Sequence, residues 1–446
     1  MDKQILAIIA VGVVITVLAA YLLNDFSLTK GTISELENYQ SYFQTSSLEL
    51  DRQNPIKIGI LHSLSGTMAI SEAPLVDVYL ATIDMINESG GIMGREVVYV
   101  IADGKSDWDT FALEAERLIV EEEVDVVVGG WTSASRKAMK PVFEEYDHLL
   151  IYPIQYEGLE SSENILYTGA APNQQILPAV DWAQKNLGQK IYLVGSDYVF
   201  PRAANEIIKD YIKETGGQIV GEKYRPLGDN NFSTIVEDIK ITNPDVILNT
   251  INGDSNIAFF KALHDQGVHP GTHIISFSIT ENEILAFNIE FLKGTYLAWN
   301  YFSNIDTTIN NEFVHNLEAR LPENTILTDP IEAAYLGLVL YSKAVELAGS
   351  EDPSLVRQSL KGMTYSAPEG TIGIDPETNH LAKSFRIAEI LENGQIKIVY
   401  SSDGYILPQP FPESRSIDEW NEYLLGLYEG WNQNWAVPAE IMENDN

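Results

Sequence analysis

Short apolar runs alternate with amphipathic helical segments along most of this chain, and that alternation limits the fold more than any other feature. From Pro55 the pattern reads strand at Ile56–Leu61, helix at Asp77–Glu88, strand at Arg95–Ile101, helix at Asp107–Glu123 and strand at Val124–Val128. A helix at Ser135–Tyr146 and strands at Leu149–Pro153 and Ile165–Gly169 complete this first series. A second series follows, with strands at Lys190–Val194, Gln218–Pro226, Val246–Thr250, His273–Phe277 and Gly294–Trp299. Helices at Gln175–Asn186, Ala203–Thr215, Phe232–Asn243 and Ile257–Gln266 separate most of them. Helices are also expected at Pro330–Ala348 and Ser354–Leu360, and a late hairpin at Phe385–Ser401 turning on Glu392-Asn393-Gly394. Strand–helix alternation implies parallel sheets covered by helices on both faces. Two such series predict an α/β protein of two lobes with a cleft between them, which is where small-molecule sites preferentially form.

Ligands in open α/β sheets bind beyond the carboxyl ends of the strands. Here the first strand delivers Ser63, Ser65 and Thr67, the third Trp131, Thr132, Ser133 and Ser135, and the fourth Tyr152, Gln155 and Tyr156. The second series delivers Ser196, Asp197 and Tyr198, then Asn252, Asp254 and Ser255. Taken singly, Ser133 reads as a helix cap, Asp254 equally as a cap, and Tyr152 as a core aromatic. Their shared position at strand ends argues for a site. Hydroxyls, amides, aromatics and a carboxylate suit a small polar neutral or zwitterionic molecule.

Charge and motifs exclude much else. The 446 residues carry 64 Asp and Glu against 28 Lys and Arg, a net charge of -36, which is incompatible with a nucleic-acid partner. No cysteine is present, so no disulfide, thiolate metal site or lipid-bearing cysteine is available. No G-x-S-x-G elbow, Walker motif or dinucleotide loop occurs, and Gly90-Gly91 follows a helix as a turn. His264, His269 and His273 are separated by Gly and Pro and read as a surface loop. No enzyme activity, cofactor or metal is expected. Residues 4–24 are uncharged and almost wholly apolar, near the length of about 20 residues that crosses a bilayer. They predict an uncleaved membrane anchor, or else a cleaved signal, and either places the remainder outside the cytoplasm. Residues 25–54 read as a polar linker.

Several segments carry a family resemblance. Ile86–Val97 (INESGGIMGREV) resembles the helix-to-strand signature of the branched-chain amino acid class of periplasmic binding proteins. Gly129–Glu144, Leu149–Gly158, Thr168–Gln175, Gly195–Arg202 and Asn249–Asn256 resemble more closely the subgroup that binds urea and short-chain amides for urea ABC transporters. Pro330–Gly337 and Ser366–Ile390 extend the match, so that it covers about residues 55–401. The resemblance implies a type I, Venus-flytrap fold with hinge crossings near Ala170–Pro172, Trp299–Phe302 and Tyr365–Pro368. Lobe 1 would then take residues 55–171 and 301–366, and lobe 2 residues 172–300 and 367–401. An acidic, Trp-rich extension covers 402–446. The implied partners are permease subunits of an ABC importer and, through the N-terminal segment, a membrane; the alternative is a sensor signalling to a separate protein.

The resemblance also implies roles. Ser133 would hold the ligand carbonyl, with Thr132 beside it; Tyr152 would line the pocket, Trp131 would form an apolar wall and Tyr198 would close over the ligand. Asp254 would accept from an amide nitrogen. Ile154 stands where an amide-sensing relative has Thr, which leaves side-chain recognition to Gln155. With Ser65 from the first strand, these residues form the expected contact set. Urea, with one carbonyl acceptor and four N–H donors, suits it. Arg136 and Lys137, on the following helix, have no charge to meet on such a ligand.

Overall fold

The computed structural model describes residues 50–268 and 271–438. The expected anchor over residues 1–24 lies outside them, as does most of the expected linker. Among the described residues no helix is long and apolar enough to cross a membrane.

The first lobe is built on a five-stranded, all-parallel sheet in the order β2-β1-β3-β4-β5. Its strands are β1 (Asp51–His62), β2 (Arg95–Asp103), β3 (Val126–Gly129), β4 (Leu150–Tyr152) and β5 (Ile165–Tyr167). The end of the expected linker, residues 51–54, already belongs to β1. Pro55 fits there because the β1–β2 register slips between Asp51 and Ile56, where its missing N–H breaks no ladder. Helices α1 (Ala69–Glu88), α2 (Trp108–Val120) and α3 (Ser133–Glu145) cross between these strands. β3 is buried along its whole length, as an all-valine run in the middle of a parallel sheet should be.

The second lobe carries a seven-stranded sheet in the order β15-β14-β10-β9-β8-β6-β7. β6 (Lys190–Ser196), β7 (Gln218–Arg225), β8 (Val246–Thr250), β9 (His273–Ser276) and β10 (Tyr296–Trp299) are parallel. β14 (Arg386–Ile390) and β15 (Ile396–Ser401), the expected hairpin, add antiparallel at one edge. Four helices belong to this lobe: α4 (Ile176–Asn186), α5 (Val199–Thr215), α6 (Ser233–Thr242) and α7 (Ser255–Asp265), with a single turn α8 (Glu281–Ile284) after β9. The chain then returns to the first lobe in α9 (Thr308–Glu318), α10 (Asp329–Ala348) and α11 (Pro353–Leu360).

A third, antiparallel sheet of β11 (Thr364–Ala367), β12 (Gly370–Ile374) and β13 (Leu381–Ala382) follows. Ala367, Ile372, Ile374 and Leu381 pack into the core of the first lobe. The third crossing therefore falls at about residues 383–385, not at Tyr365–Pro368, because the sheet's apolar face is buried against lobe 1. The hinge is tied by one side chain: Asn300 Nδ2 donates to Gln174 O at 2.9 Å and to Ser384 O at 2.6 Å, joining all three crossings. α12 (Ile417–Gly430) lies in the C-terminal extension and packs on α5.

Candidate ligand site between the lobes

Two glycines set the first wall. Gly129 and Gly130 take φ of +147° and +77° at the end of β3. A Cβ on Gly129 would stand 1.9 Å from Leu61 O, so only glycine lets β3 end here against β1. The chain turns at Trp131 and enters α3. Thr132 is the N-cap, and its hydroxyl accepts from Ser135 N at 3.1 Å, which commits Thr132 to the helix end. Ser133, first in the helix and 2% exposed, donates its hydroxyl to Glu157 Oε2.

Arg136 follows one turn later. It is fully buried and donates from Nη1 to Ser133 Oγ at 3.1 Å. Its other nitrogens reach Glu160 Oε1 at 2.8 Å and Glu157 Oε1 at 3.4 Å, while its guanidinium covers the Tyr152 and Tyr156 rings. Lys137 Nζ pairs with Glu160 Oε2 at 3.0 Å. Burial works against the charge on Glu160, but Arg136 and Lys137 outweigh it and hold the carboxyl well below its usual range. Charges buried this deeply persist because they are paired and hydrogen-bonded.

The other expected residues divide into two groups. Tyr152, at the end of β4, is buried and donates to Trp131 O. Trp131 is 3% exposed, and its Nε1 has no protein partner. Gln155 crosses the cleft, donating from Nε2 to Phe277 O at 2.9 Å, and its Oε1 has no partner. Tyr198 closes from the second lobe, 1% exposed, its ring 6.4 Å from that of Trp108. Burial drives its hydroxyl pKa far up. Gln155 and Tyr198 thus each reach the opposite lobe, at Phe277 O and at the Trp108 ring.

Asp254 and Ser65 lie elsewhere. Asp254 is exposed and accepts from Thr67 Oγ1 of the opposite lobe, so it latches the rim instead of lining the interior. Ser65 is exposed and donates to Asp103 Oδ2 at 2.8 Å. Both sit on loops that reach past the strand ends, where periodicity places a residue on a loop without fixing its direction.

Three buried groups were missed. Glu157 and Glu160 follow Gln155 on the loop beyond β4, and the strand-end argument would have reached them had it been carried further along that loop. Glu72, 1% exposed, accepts from Ser63 N at 2.8 Å and lies 3.0 Å from His62 Nδ1. It stands in the first turns of α1, ahead of the expected helix start at Asp77, so nothing marked it. Among the described residues no cluster of His, Cys, Asp and Glu has the spacing to hold a metal ion.

Two lobes, three crossings and a polar cleft at strand ends have a counterpart among known proteins. The periplasmic binding protein domain family matches residues 56–417. The chain belongs to the periplasmic binding protein family. It is similar to Leu/Ile/Val-binding protein homolog 6 of Brucella melitensis, 23% identical over 75% of this chain and 87% of that protein. A solute-binding protein of an ABC transporter from Rhodopseudomonas palustris, solved with p-hydroxybenzoic acid, superposes with a TM-score of 0.71 at 25% identity. That match covers 78% of this chain and 97% of the other. A leucine-binding protein from Thermotoga maritima gives a TM-score of 0.68 at 21% identity, over 78% and 98% of the two chains. Both superpositions agree with the two-lobe fold. Membership of this family makes the chain an extracytoplasmic solute-binding protein.

Proposed function

We propose that this periplasmic binding protein captures urea, or a short-chain amide such as acetamide or formamide, between its lobes and delivers it to an ABC permease. The observation that carries this reading is the charge balance of the cleft. Arg136 is already committed to Glu157 and Glu160, and Lys137 to Glu160. A ligand carboxylate would have to displace Glu157 from Arg136 and leave a buried charge unpaired, which costs several kcal/mol. A donor-rich neutral ligand meets no such penalty. Its N–H groups find acceptors on Glu157, Gln155 Oε1 and the tyrosine hydroxyls, and its carbonyl finds donors on Trp131 Nε1 and the backbone at the start of α3.

Ser133, Trp131, Tyr152, Gln155 and Glu157 are the contacts we assign to lobe 1, and Tyr198 the contact from lobe 2. A ligand touching both lobes shifts the protein toward its closed form. The test is calorimetry with urea, acetamide, leucine and 4-hydroxybenzoate. Urea or an amide should bind at micromolar Kd or tighter, about -8 kcal/mol. Heat with leucine or 4-hydroxybenzoate and none with urea or the amides would overturn the reading.

A further inference from the structure

The extension after β15 makes contacts that a loose tail does not need. It leaves the hinge beside Lys383, where Ile406 exchanges backbone hydrogen bonds with it at 2.8 and 3.2 Å. Pro410 O then accepts from Leu159 N at 2.8 Å, on the lobe 1 loop that carries Glu157 and Glu160. Arg415 crosses to lobe 2 and pairs with Glu206 and with Asp210, the latter at 2.7 Å, both on α5. α12 follows along α5, with Tyr423 donating to Arg202 O at 3.0 Å.

The last turn returns to the cleft. Val199 N donates to Trp435 O at 2.9 Å, and Val437 N donates to Asp197 O at 3.1 Å. These two bonds bracket Tyr198, the aromatic that closes the site from lobe 2. On its other side the Trp435 ring lies 4.9 Å from Lys137 Nζ, in lobe 1, and 4.6 Å from the Tyr428 ring. Lys137 is the cation that helps neutralise Glu160, whose other partner, Arg136, holds Ser133. One residue of the extension thus touches both halves of the site: the backbone that aims Tyr198 and the ion-pair network behind Ser133.

We propose that residues 406–437 form a strap across the two lobes that completes the ligand site, with Trp435 as the positioning residue that couples Tyr198 to Lys137. The strap does not touch the ligand. It fixes the direction of Tyr198 and covers Lys137 from water, which strengthens a cation–π contact and the ion pairs beside it. Lobe opening separates Lys137 from Asp197–Val199, so Trp435 must leave one of them. Strap docking and closure are then a single event. The statement about ligand affinity rests on the proposed function; the statement about closure does not.

The absence of cysteine makes a clean test possible. Cysteines introduced at Leu113 on α2 and Ile241 on α6, 66% and 83% exposed, take spin labels that report the distance between lobes in the full chain. Trp435→Ala and Val437→Pro, which removes the N–H given to Asp197, should each broaden that distance toward longer values without ligand. Trp435→Phe should keep the original distribution. In calorimetry Trp435→Ala should weaken urea binding at least tenfold while the melting temperature shifts by only a few degrees. An unchanged distance distribution in Trp435→Ala and Val437→Pro overturns the strap, whatever the ligand proves to be. Unchanged urea affinity in Trp435→Ala, with the wild type binding, overturns its role at the site. A wild type that binds no urea overturns the proposed function instead, and the distance measurement still decides the strap.

Discussion

Glu157→Gln separates a neutral ligand from an anionic one in a single substitution. The carboxylate accepts from Ser133 Oγ and lies 3.4 Å from Arg136 Nη2, all three groups being buried. The amide keeps the shape and one acceptor oxygen but loses the charge. Hydrogen bonds to charged groups contribute about 1.5–3 kcal/mol, so loss of charge at an acceptor facing urea should weaken binding by about 10- to 100-fold. The same change frees one side of Arg136, which keeps Glu160 at 2.8 Å. The cleft gains a partial positive charge, and affinity for 4-hydroxybenzoate should rise from undetectable to measurable. Stability should fall by only about 1–3 kcal/mol because Arg136 is not left unpaired. Calorimetry with both ligands and a urea denaturation curve corrected for ligand binding, or a guanidinium curve in its place, read all three quantities. Unchanged urea affinity in Glu157→Gln would show that the carboxylate faces away from the ligand, and benzoate binding by the wild type would refute the charge argument outright.

Three further substitutions have defined outcomes. Asp254→Ala removes an exposed latch to Thr67 and should weaken urea binding only about two- to threefold, at the low end for a hydrogen bond; a loss above tenfold in calorimetry would restore Asp254 as a direct ligand. Glu281 is buried with neither carboxylate oxygen partnered, and burial pushes its pKa up to about 8. Between the unfolded value of about 4.5 and 8 the folded state holds the extra proton, so stability falls as pH rises through that window. Glu281→Gln should flatten this slope in melting temperature measured from pH 5 to 8; Glu283, pushed up to about 7, accounts for part of what remains. Gly129→Ala places a methyl against Leu61 O at a φ that L-residues resist, and a loss of about 3 kcal/mol or more is expected in chemical unfolding.

The fold was legible because its signals are local. The valine run of β3 and the apolar cores of β6 and β8 are each short, and each is followed by a helix. The β11–β13 sheet was not, since its strands are short, mixed in polarity and gain their burial only by packing on lobe 1. The site was legible in part. Trp131, Ser133, Tyr152 and Tyr198 stand where strand ends must place them. Glu72 could not be seen, because its meaning depends on His62 and Ser63 ten and nine residues away in sequence but adjacent in space. Arg136's pairing was hidden for a related reason: its helical position was clear, but the two glutamates that pair with it come from a loop after the next strand.

The contacts between lobes explain why such a cleft needs its ligand. Beyond the strap the Trp108 and Tyr198 rings meet at 6.4 Å. The polar contacts are Thr67 with Asp254, Ser71 with Glu283, Gln155 with Phe277 O, and Asn282 with the Ile326 backbone at 2.7 and 2.8 Å. Each replaces a bond to water and contributes on the order of 1 kcal/mol net. Against them stand Gln155 Oε1 and Trp131 Nε1, buried in the cleft without a protein partner, at about 1–3 kcal/mol apiece. A ligand that satisfies both orphaned groups supplies several kcal/mol, and about 5.5 kcal/mol is what turns a 1:99 equilibrium into its reverse. The unsatisfied groups that look like defects of the closed cleft are therefore what makes closure conditional on the ligand.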